Sequence, residues 1–391
     1  DEVRTVMYWG FPMKSNLGPF ELPLEDDVPP FFIKNYRMSL KEMEAMKKIV
    51  KAYVKAGICE KSTSKIYRNP VLVVEKPGSS PSNPKFRVAF DLRQANKHVK
   101  KVYSSFYRHS HIFGLMNKNG ARVKSILDIN DAFPSLPIVE NQRDIFSFET
   151  APGEVWRLTT TPVGCSASPQ ILSTALKKVL EQFEPFVLSF FDDIICFHDD
   201  TEKALEILMA VLKELHKVKL KVNLHKMTIC STEGVFLSHY LKDDKNYVCY
   251  KHKEVIKKLA EPTNNKEARK LRGLLNYFRN RIPNFNSLTY NISKTGRMRK
   301  QFRWTEACKR ELDVLKKLLL SDLCLQNPMP GKPYYICTDA SGQQLGAVLY
   351  QKDKKGQLMP VYYVSSKFST GESLLPINLK EIIAISKTLQ T

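Results

Sequence analysis

The sequence lacks the marks of several large protein classes. No apolar run approaches the roughly 20 residues of a membrane-spanning helix, and the first residues show no secretory signal pattern. The eight cysteines form no C-x-x-C pair, which argues against a zinc ribbon or a disulfide framework and favours reduced intracellular thiols. Internal repeats and low-complexity tracts are missing too. We therefore expect neither a solenoid nor a membrane protein.

Acidic residues are scarce relative to basic ones. The 391 residues include 61 Lys and Arg but only 40 Asp and Glu, so the net charge is +21. Such an excess most often serves polyanion binding, and the alternative is a basic surface without function. Basic clusters at residues 251–272 and 294–303 favour contact with a phosphate backbone. The length predicts two or three domains, and a hydrophobic content of 43% excludes disorder as a class.

Prolines and apolar periodicity predict the main elements. Residues 1–35 are rich in proline and predict an extended lead-in. Helical spacing predicts one helix from Ser39 to Ala56 and another that begins with Ser168 as its cap and Pro169 in the first turn. Residues 71–75 and 85–92 predict a hairpin with one polar face. Further strands are predicted at 187–197, 235–241, 334–337, 345–350 and 361–364, and residues 251–322 are predicted to be mainly helical.

The sharpest local feature is a pair of adjacent carboxylates inside an apolar stretch. Asp192 and Asp193 lie between Val187-Leu188 and Ile194-Ile195, which predicts a hairpin with both acids at its tip. Like charges at such a tip repel each other, so a cation such as Mg²⁺ should compensate them. The alternative is a solvent-facing acidic turn.

A third carboxylate and two cations extend this candidate site. Asp128 interrupts an apolar strand that ends at Ile129, and it predicts either a turn cap or a strand neighbour of Asp192. In the second case the two acids could bridge two metal ions about 3.5 to 4 Å apart, which is the chemistry of nucleotidyl transfer. Lys76 and Arg87 lie on opposite arms of the polar-faced hairpin, where they clamp a triphosphate or are simply solvated.

Motifs in this order resemble the reverse transcriptases of retroviruses and of gypsy-type LTR retrotransposons. The resemblance covers nearly the whole chain. The segments that carry it are Gly57–Ser62, Pro70–Gly78, Arg87–Lys97, Leu127–Phe133, Thr161–Pro169, Phe190–Asp193, Lys226, Val235–His239, Leu271–Arg279 and Ile282–Phe285. Three departures stand out: Phe190 where Tyr is commoner, Val163 where Gln is frequent, and Ser238 in place of the usual Gly of the primer grip.

The resemblance implies an α/β (α+β) chain with a right-hand polymerase fold of fingers, palm and thumb, followed by a partial ribonuclease H-like domain. The implied division is an N-terminal lead-in at 1–35, fingers at 36–100 and 139–163, palm at 101–138 and 164–245, thumb and connecting helices at 246–328, and an incomplete ribonuclease H-like domain at 329–391.

The resemblance also implies residue roles. Asp128, Asp192 and Asp193 are implied as catalytic metal ligands. Phe133 is implied as a gate that excludes a 2′-hydroxyl, so that dNTPs are preferred. The other implied dNTP ligands are Lys76, Arg87 and Ile129, and the implied template or primer ligands are Arg93, Asn96, Pro162, Gly164, Lys226, Lys266, Lys270 and Arg272.

The C-terminal segments around Tyr334–Ser341, Leu345–Leu349 and Pro360–Ser366 resemble the opening strands of a ribonuclease H domain. The resemblance implies Asp339 and Glu381 as ligands of a second Mg²⁺ pair. Only ten residues follow Glu381, so we expect an incomplete nuclease site. The alternative is a connection domain that has lost the chemistry, although retention of both acids favours the first interpretation.

The sequence therefore predicts an RNA-directed and DNA-directed DNA polymerase of an LTR retroelement. It would use Mg²⁺, for which Mn²⁺ can substitute, and its partners would be an RNA or DNA template, a primer, the RNA/DNA hybrid and dNTPs. A homodimer and polyprotein neighbours (protease, integrase) stay open. The expected location is cytoplasmic, including virus-like particles, or nuclear. The alternatives are a domesticated nucleic-acid-binding scaffold that does not polymerise and an RNA replicase that accepts rNTPs.

Overall fold

The structure is a computed structural model that describes residues 13–75, 80, 84–100, 109–295, 302–321 and 323–390. The chain forms two compact units, Asp1–Tyr107 with Val123–Cys230, and Arg108–Arg122 with Ser231–Thr391. Within the described residues no helix is both long enough and apolar enough to cross a membrane.

The strands follow the chain as β1 (Phe31–Phe32), β2 (Cys59–Lys61), β3 (Tyr67–Arg68), β4 (Val71–Glu75), β5 (Phe86–Phe90), β6 (Val123–Asp128), β7 (Ser147–Ala151), β8 (Glu154–Leu158), β9 (Val187–Phe190), β10 (Asp193–His198), β11 (Thr228–Ser231), β12 (Glu233–Phe236), β13 (His239–Lys242), β14 (Lys245–Val248), β15 (Cys324–Gln326), β16 (Tyr335–Ala340), β17 (Gln344–Lys352) and β18 (Leu358–Lys367).

The α-helices are α1 (Leu40–Lys55), α2 (His109–Lys118), α3 (Ser168–Leu180), α4 (Thr201–Lys217), α5 (Tyr250–Lys257), α6 (Asn265–Tyr277), α7 (Phe285–Leu288), α8 (Tyr290–Thr295), α9 (Glu306–Leu320), α10 (Thr370–Ser373) and α11 (Ile377–Leu389).

The first unit is built on a four-stranded sheet in the order β11-β6-β10-β9. Strand β10 pairs antiparallel with both β6 and β9. Helices α3 and α4 pack on this sheet and bury apolar side chains such as Leu172, Leu176 and Leu212 against Leu127 and Ile194. Burial of these side chains supplies the main driving force for folding here and fixes the ends of β6 and β10 relative to each other.

Local chemistry explains where the predicted helices begin. Helix α1 starts with a capping box, since the Ser39 amide donates to Glu42 at 2.6 Å and the Glu42 amide donates back to the Ser39 hydroxyl. The expected cap at Ser168 is wrong. Ala167 is the N-cap of α3, and the Ser168 hydroxyl donates instead to the Pro162 carbonyl at 3.1 Å, because the preceding loop folds back onto the helix start.

The predicted hairpin near the N-terminus is confirmed over its strands. Strands β4 and β5 are antiparallel, with Val74 opposite Arg87. Val88 and Leu92 are buried, whereas Arg87 is exposed, as the alternation predicts. Lys76, at the start of the connection, lies outside the described residues.

The second unit contains two sheets and a helical cluster. One sheet has the order β12-β13-β14-β15 and the other β16-β17-β18. Helices α5, α6 and α9 share a core that includes Ile256, Leu271 and Leu315. Helix α11 packs against β16 and β17.

Candidate active site

Antiparallel pairing brings two of the predicted carboxylates face to face. Strand β6 ends at Asp128 and β10 begins at Asp193, and the register places these two residues directly opposite each other. Side chains of opposed residues lie about 4.5 to 5.5 Å apart at Cβ. The Ile129 amide donates to the Asp192 carbonyl at 2.9 Å, and this bond holds the backbone of Asp192 at the same strand end. Asp128, Asp192 and Asp193 therefore lie at one strand end, and their role as shared metal ligands stays a prediction.

The hairpin tip differs by one residue from the prediction. Strand β9 ends at Phe190, and Asp193 already pairs with it, so the two-residue connection is Phe191-Asp192 and not Asp192-Asp193. Phe191 has a φ of 53°, a left-handed conformation that costs a bulky residue free energy. The tighter register arises because cross-strand pairing with Asp128 continues through Asp193. One acid thus lies in the turn and the other in the strand.

The charges at this strand end are poorly balanced. Burial raises the pKa of Asp193 to about 6, with further increases from the charges of Asp192 and Asp128. Among the described residues, the cation that lowers it is Lys226, whose Nζ lies 3.0 Å from both carboxylate oxygens of Asp128. Lys226, predicted as a template or primer ligand, therefore contacts an acid of the site.

The donor set fits a hard divalent cation. Three carboxylates face one ammonium, and carboxylate oxygens are the ligands that Mg²⁺ prefers. Among the described residues, no group of three or more His, Cys, Asp or Glu is already spaced to hold a metal ion. Lys226 already contacts both oxygens of Asp128, so a metal ion at this carboxylate would compete with the ammonium.

Ile129 and Phe133, both implied as dNTP contacts, follow β6 in the chain. Ile129 is 2% exposed, so its side chain belongs to the core and only its backbone can face a nucleotide. Phe133 is half-buried and starts a short 3₁₀ turn, Phe133–Ser135. Its carbonyl accepts a hydrogen bond from the Thr161 hydroxyl at 2.5 Å. This bond connects the Phe133 turn to the loop that carries Pro162 and Gly164.

Asn96 contacts that loop through both ends of its side-chain amide. Its Nδ2 donates to the Gly164 carbonyl at 2.9 Å, and its Oδ1 accepts from the Ser166 amide at 2.9 Å. Gly164 has a φ of 97°, which only glycine adopts without strain. The predicted template ligand Asn96 is thus engaged with the backbone beside Gly164.

Arg93 is held in place although 82% of its side chain is exposed. Its guanidinium donates to both oxygens of Asp91, at 2.6 and 2.9 Å, and to the Tyr36 hydroxyl at 3.0 Å. The hydrogen bonds from Arg93 are the largest cause that holds the pKa of Asp91 far below its usual range. Tyr36 and Asp91 were missed by sequence reasoning, although the Asp-x-Arg spacing on a polar strand face could have indicated the second.

The remaining predicted nucleic-acid ligands lie in the second unit. Lys266 and Lys270 are exposed on α6, as a surface for phosphates requires. Arg272, on the same helix, is half-buried, and one of its guanidinium nitrogens is buried without a hydrogen-bond partner.

The two predicted acids of the C-terminal region are both exposed. Asp339 lies on β16, opposite Gly346 of β17. Glu381 lies on α11, next to the buried Lys380, whose ammonium donates to the Gly342 carbonyl at 3.1 Å.

The turn between β12 and β13 contains Ser238, the residue that stands where the resemblance leads us to expect glycine. Leu237 and Ser238 form a two-residue connection with φ values of 48° and 63°. Left-handed residues at both positions are typical of a type I′ hairpin turn, which usually contains glycine. Ser238 therefore adopts the conformation that a glycine would adopt, at some cost in free energy.

Comparison with known proteins supports these assignments at the level of domains. The family described as "Reverse transcriptase (RNA-dependent DNA polymerase)" matches residues 74–241, and the "RNase H-like domain found in reverse transcriptase" matches residues 304–391. The first match contains Asp128, Asp192 and Asp193, and the second contains Asp339 and Glu381.

Several polyproteins are similar over almost the whole chain. The retrovirus-related Pol polyprotein from transposon 412 of Drosophila melanogaster is 31% identical over 380 residues, which is 95% of this chain and 30% of that protein. The Gag-Pol polyprotein of Koala retrovirus is 27% identical, over 97% of this chain and 23% of its own length. The Transposon Tf2-3 polyprotein of Schizosaccharomyces pombe is 26% identical, over 95% and 27%. The chain thus spans less than a third of each of these relatives.

Solved structures share the fold. The foamy viral protease-reverse transcriptase in complex with RNA/DNA hybrid matches with a TM-score of 0.84 at 22% identity, over 96% of this chain and 49% of that one. The same protein in complex with dsDNA matches with a TM-score of 0.84 at 22% identity, over 99% and 79%. The predicted fold class is confirmed, whereas the boundaries between fingers, palm and thumb stay predictions.

Proposed function

The chain belongs to the reverse transcriptase family, with a reverse transcriptase domain followed by an RNase H-like domain, and we propose that it polymerises DNA by two-metal nucleotidyl transfer on an RNA or DNA template. The observation that carries this proposal is the Asp128–Asp193 cross-strand pair with Asp192 fastened beside it. No other described carboxylates are opposed in this way on paired strands.

The three acids would hold divalent cations, Mg²⁺ or its substitute Mn²⁺. A bound metal pair supplies activation of the primer 3′-hydroxyl and neutralisation of the pyrophosphate charge. Asp193 contributes fully only when it is ionised, and its pKa of about 6 makes ionisation nearly complete at neutral pH. Lys226 pairs with Asp128 in this structure and, once metal ions neutralised that carboxylate, would be available for a phosphate of the template or primer.

The dNTP would lie between the carboxylates and the β4–β5 hairpin. Arg87 is exposed on this hairpin and can bind phosphate oxygens with two parallel hydrogen bonds, and Lys76 would assist. The Phe133 ring would contact the sugar and exclude a 2′-hydroxyl by steric conflict. Replacement Phe133→Val should therefore lower the preference for dNTPs over rNTPs by at least about tenfold, and unchanged sugar discrimination would remove this role.

We propose a template, a primer, RNA/DNA hybrid and dNTPs as partners. Two structures that share the fold are complexes of foamy viral protease-reverse transcriptase with RNA/DNA hybrid and with dsDNA, which supports this choice. The exposed Lys266 and Lys270 would follow the nucleic-acid backbone. The Leu237-Ser238 turn would contact the primer. A cytoplasmic location, including virus-like particles, or a nuclear one stays a proposal.

The C-terminal region would bind hybrid without cutting it in this chain. Asp339 and Glu381 are two exposed carboxylates, and two-metal hydrolysis needs a denser set of ligands. Cleavage of the RNA strand of a hybrid by this chain would contradict this part of the proposal.

Primer extension tests the main proposal. With oligo(dT) on poly(rA), Mg²⁺ and dTTP, the wild type should extend the primer. Asp192→Asn should reduce the rate by about 10³-fold or more, because the metal ligand is lost. Hybrid affinity, measured by fluorescence anisotropy, should stay within about twofold.

The matched control is Asp199→Asn, at the opposite end of β10, where the carboxylate is 71% exposed and paired with His198. It should leave the extension rate unchanged. A wild type that binds hybrid tightly but never extends the primer would identify a non-polymerising scaffold. Loss of hybrid binding in Asp192→Asn would show that the acid is structural.

A further inference from the structure

A buried arginine in the second unit has no acidic partner. Arg281 lies in the short 3₁₀ turn Arg279–Arg281, after α6, and is 4% exposed. Among the residues that the structure describes, no carboxylate lies within ion-pair distance of its guanidinium. Burial accordingly lowers the pKa of Arg281 to about 10. Burying an unpaired cation is costly, so its neutral partners must be placed to offset that cost.

The partners of Arg281 lie on the two strands that follow the Leu237-Ser238 turn. One terminal nitrogen donates to the Asn246 carbonyl at 3.1 Å. The other donates to the Asn246 side-chain oxygen and, at 2.6 Å, to Nδ1 of His239. His239 is the residue that ends the turn and pairs with Phe236 across it. The guanidinium therefore fixes the first residue after a strained turn.

A second ring contacts the turn from α5. His252 is hydrogen-bonded to the backbone of Ser238, and its ring packs on Phe278 at 5.4 Å between centroids. His109 of α2 packs edge-on against His239 at 5.5 Å. Both histidines have lowered pKa values because they are buried, so they are neutral hydrogen-bonding groups at pH 7. The turn residue Ser238 itself is exposed.

These contacts explain how two left-handed residues without glycine are retained. Leu237 and Ser238 have φ values of 48° and 63°, and strained backbone persists only where the surroundings over-determine it. A hairpin held by its own strands alone could relax to a less strained connection. The bonds to His239 and to the Ser238 backbone prevent this relaxation and keep the exposed tip in one shape.

We propose that Arg281 is a positioning residue for primer binding, which acts through His239 to hold the Leu237-Ser238 turn in its left-handed conformation. This inference rests on the proposed function, since it takes the turn as a primer contact. Arg281 does not touch the nucleic acid. Its removal should weaken template–primer binding while the chemical step stays intact.

Hydrogen exchange tests, without any catalysis, whether Arg281 holds the Leu237-Ser238 turn. In Arg281→Met, which keeps an apolar volume in the site, the amide of His239, paired with Phe236 across the turn, should exchange about tenfold faster, as expected for loss of one net hydrogen bond. Arg281→Lys, which retains a donor, should show a smaller increase. The matched control is Arg279→Lys, two residues away, whose guanidinium donates to the Ser365 carbonyl of β18 and not to the turn. It should leave exchange at the turn unchanged.

Kinetics and a rescue test the functional half. In Arg281→Met the KM for template–primer should rise about five- to tenfold, with kcat within about twofold. Adding Ser238→Gly should return the KM to within about twofold of wild type, because glycine adopts a φ of +63° without strain and no longer needs the support. A general loss of stability would not be repaired by a residue that Arg281 does not contact.

The possible outcomes separate this inference from the proposed function. Unchanged exchange at His239 in both Arg281 variants overturns the inference, as does a fall in kcat with unchanged KM. A KM that rises but is not rescued by Ser238→Gly also overturns it. A wild type that extends no primer defeats the proposed function instead, while the exchange results still decide whether Arg281 holds the turn.

Discussion

The paired strands β6 and β10 and the strand β16 each carry aspartates, and the residues opposite these acids differ. In the first unit Asp128 on β6 faces Asp193 on β10, and a backbone hydrogen bond from Ile129 holds Asp192 beside them. In the second unit Asp339 on β16 faces Gly346, which offers no side chain, and Asp339 is exposed. A carboxylate becomes a strong metal ligand when the fold forces like charges onto it. Strand register, more than residue type, therefore separates the two regions.

The largest expected effect is the loss of primer extension when an acid of the first region, but not of the second, is replaced. Asp128→Asn should lower the primer-extension rate by about 10³-fold or more, because one shared metal ligand is lost. Asp339→Asn, the same change on the other strand end, should leave the rate within about twofold. Single-turnover extension on a preformed template–primer measures both. Equal losses in the two variants would mean that the strand register is irrelevant to polymerisation.

A second prediction concerns stability and pH. The folded pKa of Asp193 is about 6, above its ordinary value of 3.8, so protonated Asp193 stabilises the fold below about pH 4, and this contribution is lost as the pH rises through 6. Asp193→Asn should therefore stabilise the metal-free protein at pH 7.5 by about 1 kcal/mol, after a discount for partial exposure, and by nearly nothing at pH 4.

Urea unfolding in EDTA at both pH values measures this difference. Asp339→Asn is the control and should change the free energy of unfolding at neither pH. Destabilisation by Asp193→Asn at pH 7.5 would show that burial and the neighbouring acids do not penalise the ionised Asp193 carboxylate in the folded protein.

The smallest expected effect is a loss of template affinity when Asn96, in the first region, is replaced. Asn96→Ala removes both hydrogen bonds to the backbone at Gly164 and Ser166, so the loop should become looser and template affinity should fall several-fold. The control is Asn141→Ala, since Asn141 is exposed in the same unit. Fluorescence anisotropy with a labelled template–primer measures the change. Identical affinities in the two variants would remove Asn96 from the site.

Much of the candidate site was predictable, because its signals are local. An acid inside an apolar strand run and two acids between apolar strands indicate Asp128, Asp192 and Asp193, which lie at one strand end in the structure. The exact turn was not predictable. Pairing with Asp128 extends β10 to Asp193, and that pairing joins residues far apart in sequence. The cap at Ser168 failed for the same reason, since its hydroxyl bonds to Pro162 in a folded-back loop.

The contacts that support the site were hidden from sequence reasoning. In a basic chain, a basic residue is expected to be a solvated cation on the surface. Arg281, however, is buried, and the Lys226 ammonium is paired with the Asp128 carboxylate. The sequence predicts Asn96 as a template ligand but gives no sign that its side chain bonds to the backbone of Gly164 and Ser166, which are 68 and 70 residues away. Such roles depend on tertiary geometry, which residue type and spacing do not encode.

Manganese binding tests the central claim most directly. The electron paramagnetic resonance signal of free Mn²⁺ reports how much of the ion the protein binds in the presence of template–primer and a non-hydrolysable dNTP analogue. Relative to wild type, Asp192→Asn should bind Mn²⁺ at least tenfold more weakly, whereas Asp199→Asn should bind it equally well. Undiminished Mn²⁺ binding by Asp192→Asn would contradict a shared metal site at the end of β10.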